Sequence, residues 1–294
     1  MASLEEQLTG WTAPSSDSEQ ERQERTERMI RDAVTWHQPF ADSSLRVFAK
    51  GSYANKTNIR VDSDVDIAVE CYEAVYNDES QPGLIAPGVA YEGPWTPERL
   101  RHELANALKA MFPGQVDTSG TTAIRIRSNS ARVNADVVPC FSYRYHLPHT
   151  VREGVKVFRS TGTTIINYPA QQLDKGRTKN KETSHAFKRA VRLLKRVQKA
   201  LVDEGLCRPL PSYFVECLAY NCPNHVFSAP TWTEVLRGML THIFSYADAG
   251  EPSDESRRWL EVNECFFLFH PAQRWTRIDA RSLALAAWNH FGFE

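Results

Sequence analysis

Cysteine is scarce in this chain: Cys71, Cys140, Cys207, Cys217, Cys222 and Cys265 are scattered over 294 residues. That density and spacing exclude a disulfide framework, so reduced and mostly buried thiols are expected. Long hydrophobic runs are missing as well, with no window approaching the ~18 apolar residues of a membrane span. The opening MASLEEQLTGWTAPSSDSEQER lacks the basic and apolar regions of a signal peptide, and a cytosolic protein is expected. No repeat period or low-complexity tract appears. Charge of one sign is also lacking: the net charge is -1, so no global field would collect a nucleic-acid template.

The composition that remains, 41% hydrophobic and 24% charged, is that of a soluble protein long enough for two domains. The local charge is uneven. From Arg152 to Lys199 thirteen Lys/Arg face only Glu153, Asp174 and Glu182, whereas Asp62, Asp64 and Asp66 alternate in GSYANKTNIRVDSDVDIAVE, Gly51 to Glu70. A basic segment opposite an acidic cluster suits a polyphosphate with metal ions between them.

The spacing predicts a helix over 18–37 with a Ser18/Glu21 capping box, then a strand LRVFAKGS breaking at Gly51 and a second strand VDSDVDIAVEC. A loop from Asn77 to Pro97 leads into a helix started by Thr96-Pro97, and strands TTAIRIRS and RVNADVVPC follow, the second ended by Pro139. The first half reads as an α/β unit with a mostly antiparallel or mixed sheet. After the polar connection INYPAQQLDKGRTKNKETS the pattern is helical over 184–203, 212–221, 231–248, 254–269 and 279–291, and a domain boundary is expected near residue 160. On the first of these helices Phe187, Val191, Leu194, Val197 and Leu201 form an apolar face. Lys188, Arg192, Lys195 and Lys199 form a stripe beside it which, taken alone, reads as a solvated face.

Alternation on a strand puts Asp62, Asp64 and Asp66 on one face, where their mutual repulsion is relieved by water or by a divalent cation. NADVVP supplies Asp136, again at a strand's beginning. Three convergent carboxylates can hold two metals about 3.5–4 Å apart for phosphoryl transfer. A lone D-x-D is better read as a turn cap, but Gly51-Ser52 ahead of it adds backbone and hydroxyl donors for phosphate. Cys217, Cys222 and His225 lack a fourth ligand and fit no standard zinc spacing. The aromatic-rich C-terminal run with Trp259, Trp275 and Trp288 is expected to be core.

GS, then DSDVDIAV, then ADVVP resembles the active site of the polymerase-β-like nucleotidyltransferase superfamily. VRLLKRVQKAL followed by PSYFVECLAYNCP narrows the resemblance to the bacterial cGAS/DncV-like nucleotidyltransferases, in particular the CdnE clade, over residues 20 to 225 and beyond. The resemblance implies an α+β fold: a nucleotidyltransferase core over 1–160, a helical lobe with a nucleotide lid over 161–294, and an active site in the cleft between them. It implies an enzyme that joins nucleoside triphosphates into a cyclic dinucleotide signal for anti-phage defence, read by a downstream effector. Matched residue by residue, Asp64, Asp66 and Asp136 are the catalytic metal ligands for two Mg²⁺, or Mn²⁺, and Asp62 lies outside that triad. Gly51 and Ser52 match the triphosphate loop, Lys195 a helix lysine reaching the triphosphate, and Ser212-Tyr213 a pair in which serine contacts phosphate and tyrosine stacks on the base. Asn167 matches a lid position associated with uridine, so UTP, with ATP, is expected among the substrates; its other reading is a turn residue before Tyr168-Pro169. Two alternatives remain: a relative making linear products or modifying an RNA or protein hydroxyl, and a dead nucleotide-binding module, disfavoured because all three carboxylates are present.

Overall fold

A computed structural model describes residues 3–59, 64–86, 88 and 91–294. The elements are α1 (Leu4–Trp11), α2 (Asp17–Thr35), β1 (Leu45–Lys50), α3 (Gly51–Asn55), β2 (Val65–Glu79), α4 (Pro97–Met111), β3 (Val116–Asp117), β4 (Ile124–Ile126), β5 (Ala135–Leu147), β6 (Thr150–Phe158) and β7 (Thr164–Asn167). Then come α5 (Pro169–Glu182), α6 (Ala186–Asp203), α7 (Ser212–Tyr220), α8 (Trp232–Asp248) and α9 (Arg277–His290). They divide into an α/β unit of residues 16–53 and 60–169 and a helical unit of residues 1–15, 54–59 and 170–294, so the change of unit falls at 170 rather than 160. Among the described residues no helix is long and apolar enough to cross a membrane.

In the α/β unit the described strands form one mixed sheet in the order β1-β2-β5-β4-β3, with β6 on β5 and β7 on β6. β2 and β5 run parallel and the other pairings are antiparallel. Strand alternation divides the residues between faces. Val65, Ile67 and Val69 of β2 join Ile30 of α2 and Leu100, Leu104 and Leu108 of α4 in one core, while Ala68 joins Val138 and Cys140 in another. Thr96 caps α4 through the Arg99 amide, as expected, whereas α2 is capped by Ser16 through Glu19, two residues ahead of the Ser18 box.

Two strands outrun their expected ends. β2 continues past an irregularity between Cys71 and Val75, and its last residues, Asn77 to Glu79, pair with Arg144 to His146. β5 runs through Pro139, which pairs with Val69. On the other edge of β5 the β4 register stops at Val137 and that of β6 starts at Phe141, so the missing proline N–H falls in a gap between neighbours.

In the helical unit the expected face of α6 is fully buried: Phe187, Val191, Leu194, Val197 and Leu201 pack with Phe214 and Leu218 of α7 and Met239 and Leu240 of α8. The polar connection is not a loop but α5, begun by Pro169; it lacks the apolar periodicity that would have announced it. The expected helix over 254–269 is absent. A 3-10 turn at Glu255–Arg257 precedes a bridge between Leu260 and Phe267, closed by Glu264 at φ 55°. Trp259 is buried and stacks on Tyr246 with ring centroids 4.0 Å apart, so that part of the aromatic segment is core. All six cysteines are free thiols, four of them buried.

Candidate active site

The alternation that sends Val65 and Ile67 into the core turns Asp66 to the opposite face, and Asp64 shares its parity. Register then aligns four charged residues across four strands: Lys50 of β1 opposite Asp66 of β2, Asp66 beside Asp136 of β5, and Asp136 opposite Arg125 of β4. The row reads cation, anion, anion, cation. Lys50 Nζ lies 3.9 Å from Asp66 Oδ1, and Arg125 donates from Nε to Asp136 Oδ1 at 3.3 Å while its Nη2 stands 3.8 Å from Asp64 Oδ2.

The carboxylates keep solvent access, with side-chain exposures of 38% for Asp64, 34% for Asp66 and 28% for Asp136. Burial among protein atoms pushes the Asp66 carboxyl up from its ordinary range; Lys50 pulls it back, and Asp136 and Asp64 push it up further. Arg125 is held more firmly protonated by its hydrogen bond to Asp136, then by the charges of Asp136 and Asp64. Among the described residues no three acidic, histidine or cysteine side chains close on one point as a finished metal cage. The donor set still fits a hard divalent cation: every candidate ligand is a carboxylate oxygen, and three anions with two loosely placed cations are short of positive charge.

Gly51 follows β1 directly and has φ +66°, a conformation that residues with a side chain rarely adopt. A Cβ there would sit 2.6 Å from Asp66 Oδ2, so the glycine also lets the chain pass against the carboxylate. Ser52 comes next, half-buried in α3. Asn167 is the last residue of β7 and half-buried; it is a strand end rather than a turn residue, and Pro169 opens α5 two positions on. Gly154 of β6 makes room there, since a Cβ would meet the Asn167 carbonyl oxygen at 2.7 Å and the Tyr168 ring at 2.8 Å. Asp62 lies outside the described residues.

The remaining expected residues belong to the helical unit. Ser212 is exposed as the first residue of α7, and Tyr213 beside it is half-buried. Lys195 departs from expectation. Its side chain is 2% exposed and its ammonium's three donors are engaged by Glu216 Oε2 at 3.2 Å, Thr57 Oγ1 at 3.2 Å and the Thr57 carbonyl at 3.1 Å. An ammonium has three hydrogens, so none is left for a phosphate.

Nor is the basic stripe a solvated face: Arg192 is buried and donates to the carbonyls of Thr12 and Lys56 at 2.7 and 2.6 Å. Positive side chains of α6 bind the backbone of segments 10–12 and 56–57. Glu216 accepts from Asn55 and Thr57 at 2.7 Å each and, although burial alone would raise its carboxyl, Lys195, Thr57 and Asn55 hold it below its ordinary range.

Lys50, Arg125 and Glu216 are site residues that no motif in the sequence marks. Arg125 had a signal, the alternation of TTAIRIRS, which places it off the core between Ile124 and Ile126. Glu216 had none, being one glutamate in an apolar helix. A second buried carboxylate, Glu261, accepts from the Tyr213 hydroxyl at 3.1 Å and from Asn263 Nδ2 at 2.8 Å, and burial pushes its carboxyl up.

With this geometry in place, the comparisons with known proteins agree. Residues 174–292 match the cGAS/DncV-like nucleotidyltransferase C-terminal helical domain. A cyclic dipyrimidine nucleotide synthase CdnE of Cecembia lonarensis is 34% identical over 299 residues, covering 98% of each chain. A cyclic dipurine nucleotide synthase of Elizabethkingia meningoseptica is 32% identical over 99% of each. The solved structure of a CdnE cyclic dinucleotide synthase of Elizabethkingia meningoseptica with GTP and Apcpp superposes with a TM-score of 0.83 at 30% identity, covering 99% of this chain and 100% of that one.

Proposed function

The chain belongs to the cGAS/DncV-like nucleotidyltransferases of the CdnE kind, and from that premise we propose how its residues divide the work of a cyclic nucleotide synthase. Its substrates are nucleoside triphosphates and its reaction is nucleotidyl transfer, in a family that uses divalent metal and serves anti-phage defence. In each step a ribose hydroxyl oxygen bonds to the α-phosphorus of a second nucleotide, the bond from that phosphorus to pyrophosphate breaks, and the hydroxyl proton leaves to solvent. A second such step closes the ring.

The observation that carries the reading is the cross-strand row with Asp66 and Asp136 side by side, Asp64 next to them and Gly51 packed on Asp66. Asp64, Asp66 and Asp136 would hold two Mg²⁺, or Mn²⁺, supplying a Lewis acid for the attacking hydroxyl and for the departing pyrophosphate. Lys50 and Arg125 offset part of the cluster's negative charge without spending the carboxylates in close ion pairs, since the three cation–anion distances across the row, 3.9, 3.8 and 3.3 Å, exceed hydrogen-bond length or lie near its limit. Gly51 and Ser52 grip the donor triphosphate, with the backbone free of a side chain and the hydroxyl as a donor. Ser212 adds a hydroxyl to the phosphates and Tyr213 an aromatic face to the base. Lys195 is reassigned: it neutralises Glu216 and fixes Thr57.

Relatives making dipyrimidine and dipurine products are about equally similar, so overall identity does not choose the base. We assign that choice in part to Asn167, whose amide offers both a donor and an acceptor to the O4/N3–H edge of uracil. UTP is then a substrate, with ATP a second candidate, and an effector responds to the product. Purified protein incubated with the four NTPs and Mg²⁺ should give a phosphatase-resistant product labelled by UTP. A phosphatase-sensitive product would overturn the cyclic reading, and Asn167→Ser with unchanged UTP/ATP preference would overturn the base assignment.

A further inference from the structure

The helix that carries Ser212-Tyr213 is gripped along one face by a single turn. Leu260 and Phe267 form its bridge, Glu261 N–H donates to the Phe266 carbonyl at 2.9 Å, and Leu268 N–H to that of Trp259 at 2.7 Å. Three residues of α7 and its C-cap reach this turn. Tyr213 donates to Glu261 Oε2 at 3.1 Å, Tyr220 donates to Glu264 Oε1 at 2.5 Å, and Asn221 exchanges bonds with the Leu260 backbone at 2.7 and 3.2 Å. Tyr213 and Tyr220 are two helical turns apart, so they lie on one stripe of α7.

Three further bonds converge on the Tyr213 phenol and its acceptor. Asn263 Nδ2 donates to the phenol oxygen at 3.1 Å and to Glu261 Oε2 at 2.8 Å, and Gln273 Nε2 donates to Glu261 Oε1. The phenol therefore has one acceptor and one donor in fixed positions, while the ring stands edge-on to Trp275 with centroids 6.4 Å apart. A ring held at its hydroxyl end cannot swing about χ1, and this costs no freedom when a base arrives.

We propose that Glu261 and Asn263 are positioning residues that lock the Tyr213 ring in its base-stacking orientation. The inference rests on the reading that Tyr213 stacks on a nucleobase. A simple stabilising network is the weaker account of Glu261. The carboxylate is 4% exposed, its hydrogen-bond partners are the neutral Tyr213, Asn263 and Gln273, and burial raises its carboxyl, so its ionised form costs the fold free energy. Glu216 on the same helix shows the alternative, a buried carboxylate with a lysine partner.

The test measures KM, kcat and melting temperature for Tyr213→Ala, Tyr213→Phe, Glu261→Gln and the Tyr213→Phe/Glu261→Gln double variant, using whichever of the four NTPs the wild-type enzyme consumes. Tyr213→Ala should raise KM by about ten- to a hundredfold. Tyr213→Phe, which keeps the ring, and Glu261→Gln should each raise KM by about fivefold with kcat within about twofold, and the double variant should be no worse than either single one. Glu261→Gln should melt at or above the wild-type temperature. If Tyr213→Ala raises KM while Tyr213→Phe and Glu261→Gln leave it alone, the lock is wrong and the stacking reading stands. If Tyr213→Ala leaves KM unchanged, the stacking reading falls and the lock with it. Multiplicative single effects in the double variant also overturn the lock, and should Glu261→Gln fail to fold, Tyr213→Phe alone decides.

Discussion

The acidic end of the sheet and the buried pair of the helical unit handle charge in opposite ways. At the sheet end three carboxylates share two cations at 3.3, 3.8 and 3.9 Å, and each keeps more than a quarter of its side chain open to solvent. In the helical unit Glu216 and Lys195 are 1% and 2% exposed, and Lys195 has a partner for every donor. Unmatched charge in reach of water is available to a ligand; matched charge in a dry interior fixes backbone. Two sets of ionisable residues that look alike in sequence thus divide into chemistry and architecture.

The largest effect that would test this comparison is Asp64→Ala with Asp66→Ala. Pyrophosphate release should vanish while the melting temperature stays level or rises, because removing clustered anions relieves repulsion. Retained activity would refute the metal assignment. Lys195→Met comes next: it leaves Glu216 buried without its cation, at an expected cost of about 3–5 kcal/mol in urea unfolding. Wild-type stability combined with lost nucleotide binding would return Lys195 to the phosphates and erase the contrast.

Gly51→Ala should lose at least about tenfold in activity and about 1–2 kcal/mol in stability, since alanine is strained at φ +66° and its Cβ displaces the Asp66 carboxylate. The smallest effect is in pH. Glu216 titrates below its unfolded value, so its contribution is present above the ordinary carboxylate range and lost as pH falls through the folded value. Asp66 titrates above its unfolded value, so it favours the fold in acid and loses that advantage as pH rises through the folded value. Glu216→Gln should therefore flatten the acid limb of stability, and Asp66→Asn should raise stability at neutral pH; opposite signs would invert the comparison.

Much of the site was legible because strand periodicity and local motif coincide. Asp64, Asp66 and Asp136 begin apolar strands, and alternation alone puts them off the core. The apolar face of α6 was equally plain, because five residues at helical spacing leave little choice. α5 was illegible, since a polar helix advertises no buried face, and the segment over 254–269 misled because its aromatic residues are core without being helical. Pro139 misled for a different reason: its tolerance depends on where the neighbouring strands stop, which is a property of the sheet.

By itself the sequence determined the elements whose periodicity is local, the chemistry of the carboxylates, and the glycine and serine ahead of them. Only the tertiary structure decided which cations face those anions, that Lys195 is spent on Glu216 and Thr57, and that Glu261 meets the Tyr213 hydroxyl. The physical reason is range. A hydrophobic pattern repeats over a few residues, whereas a buried ionised group takes whichever partner packing brings to it, here from 21, 138 and 48 positions away.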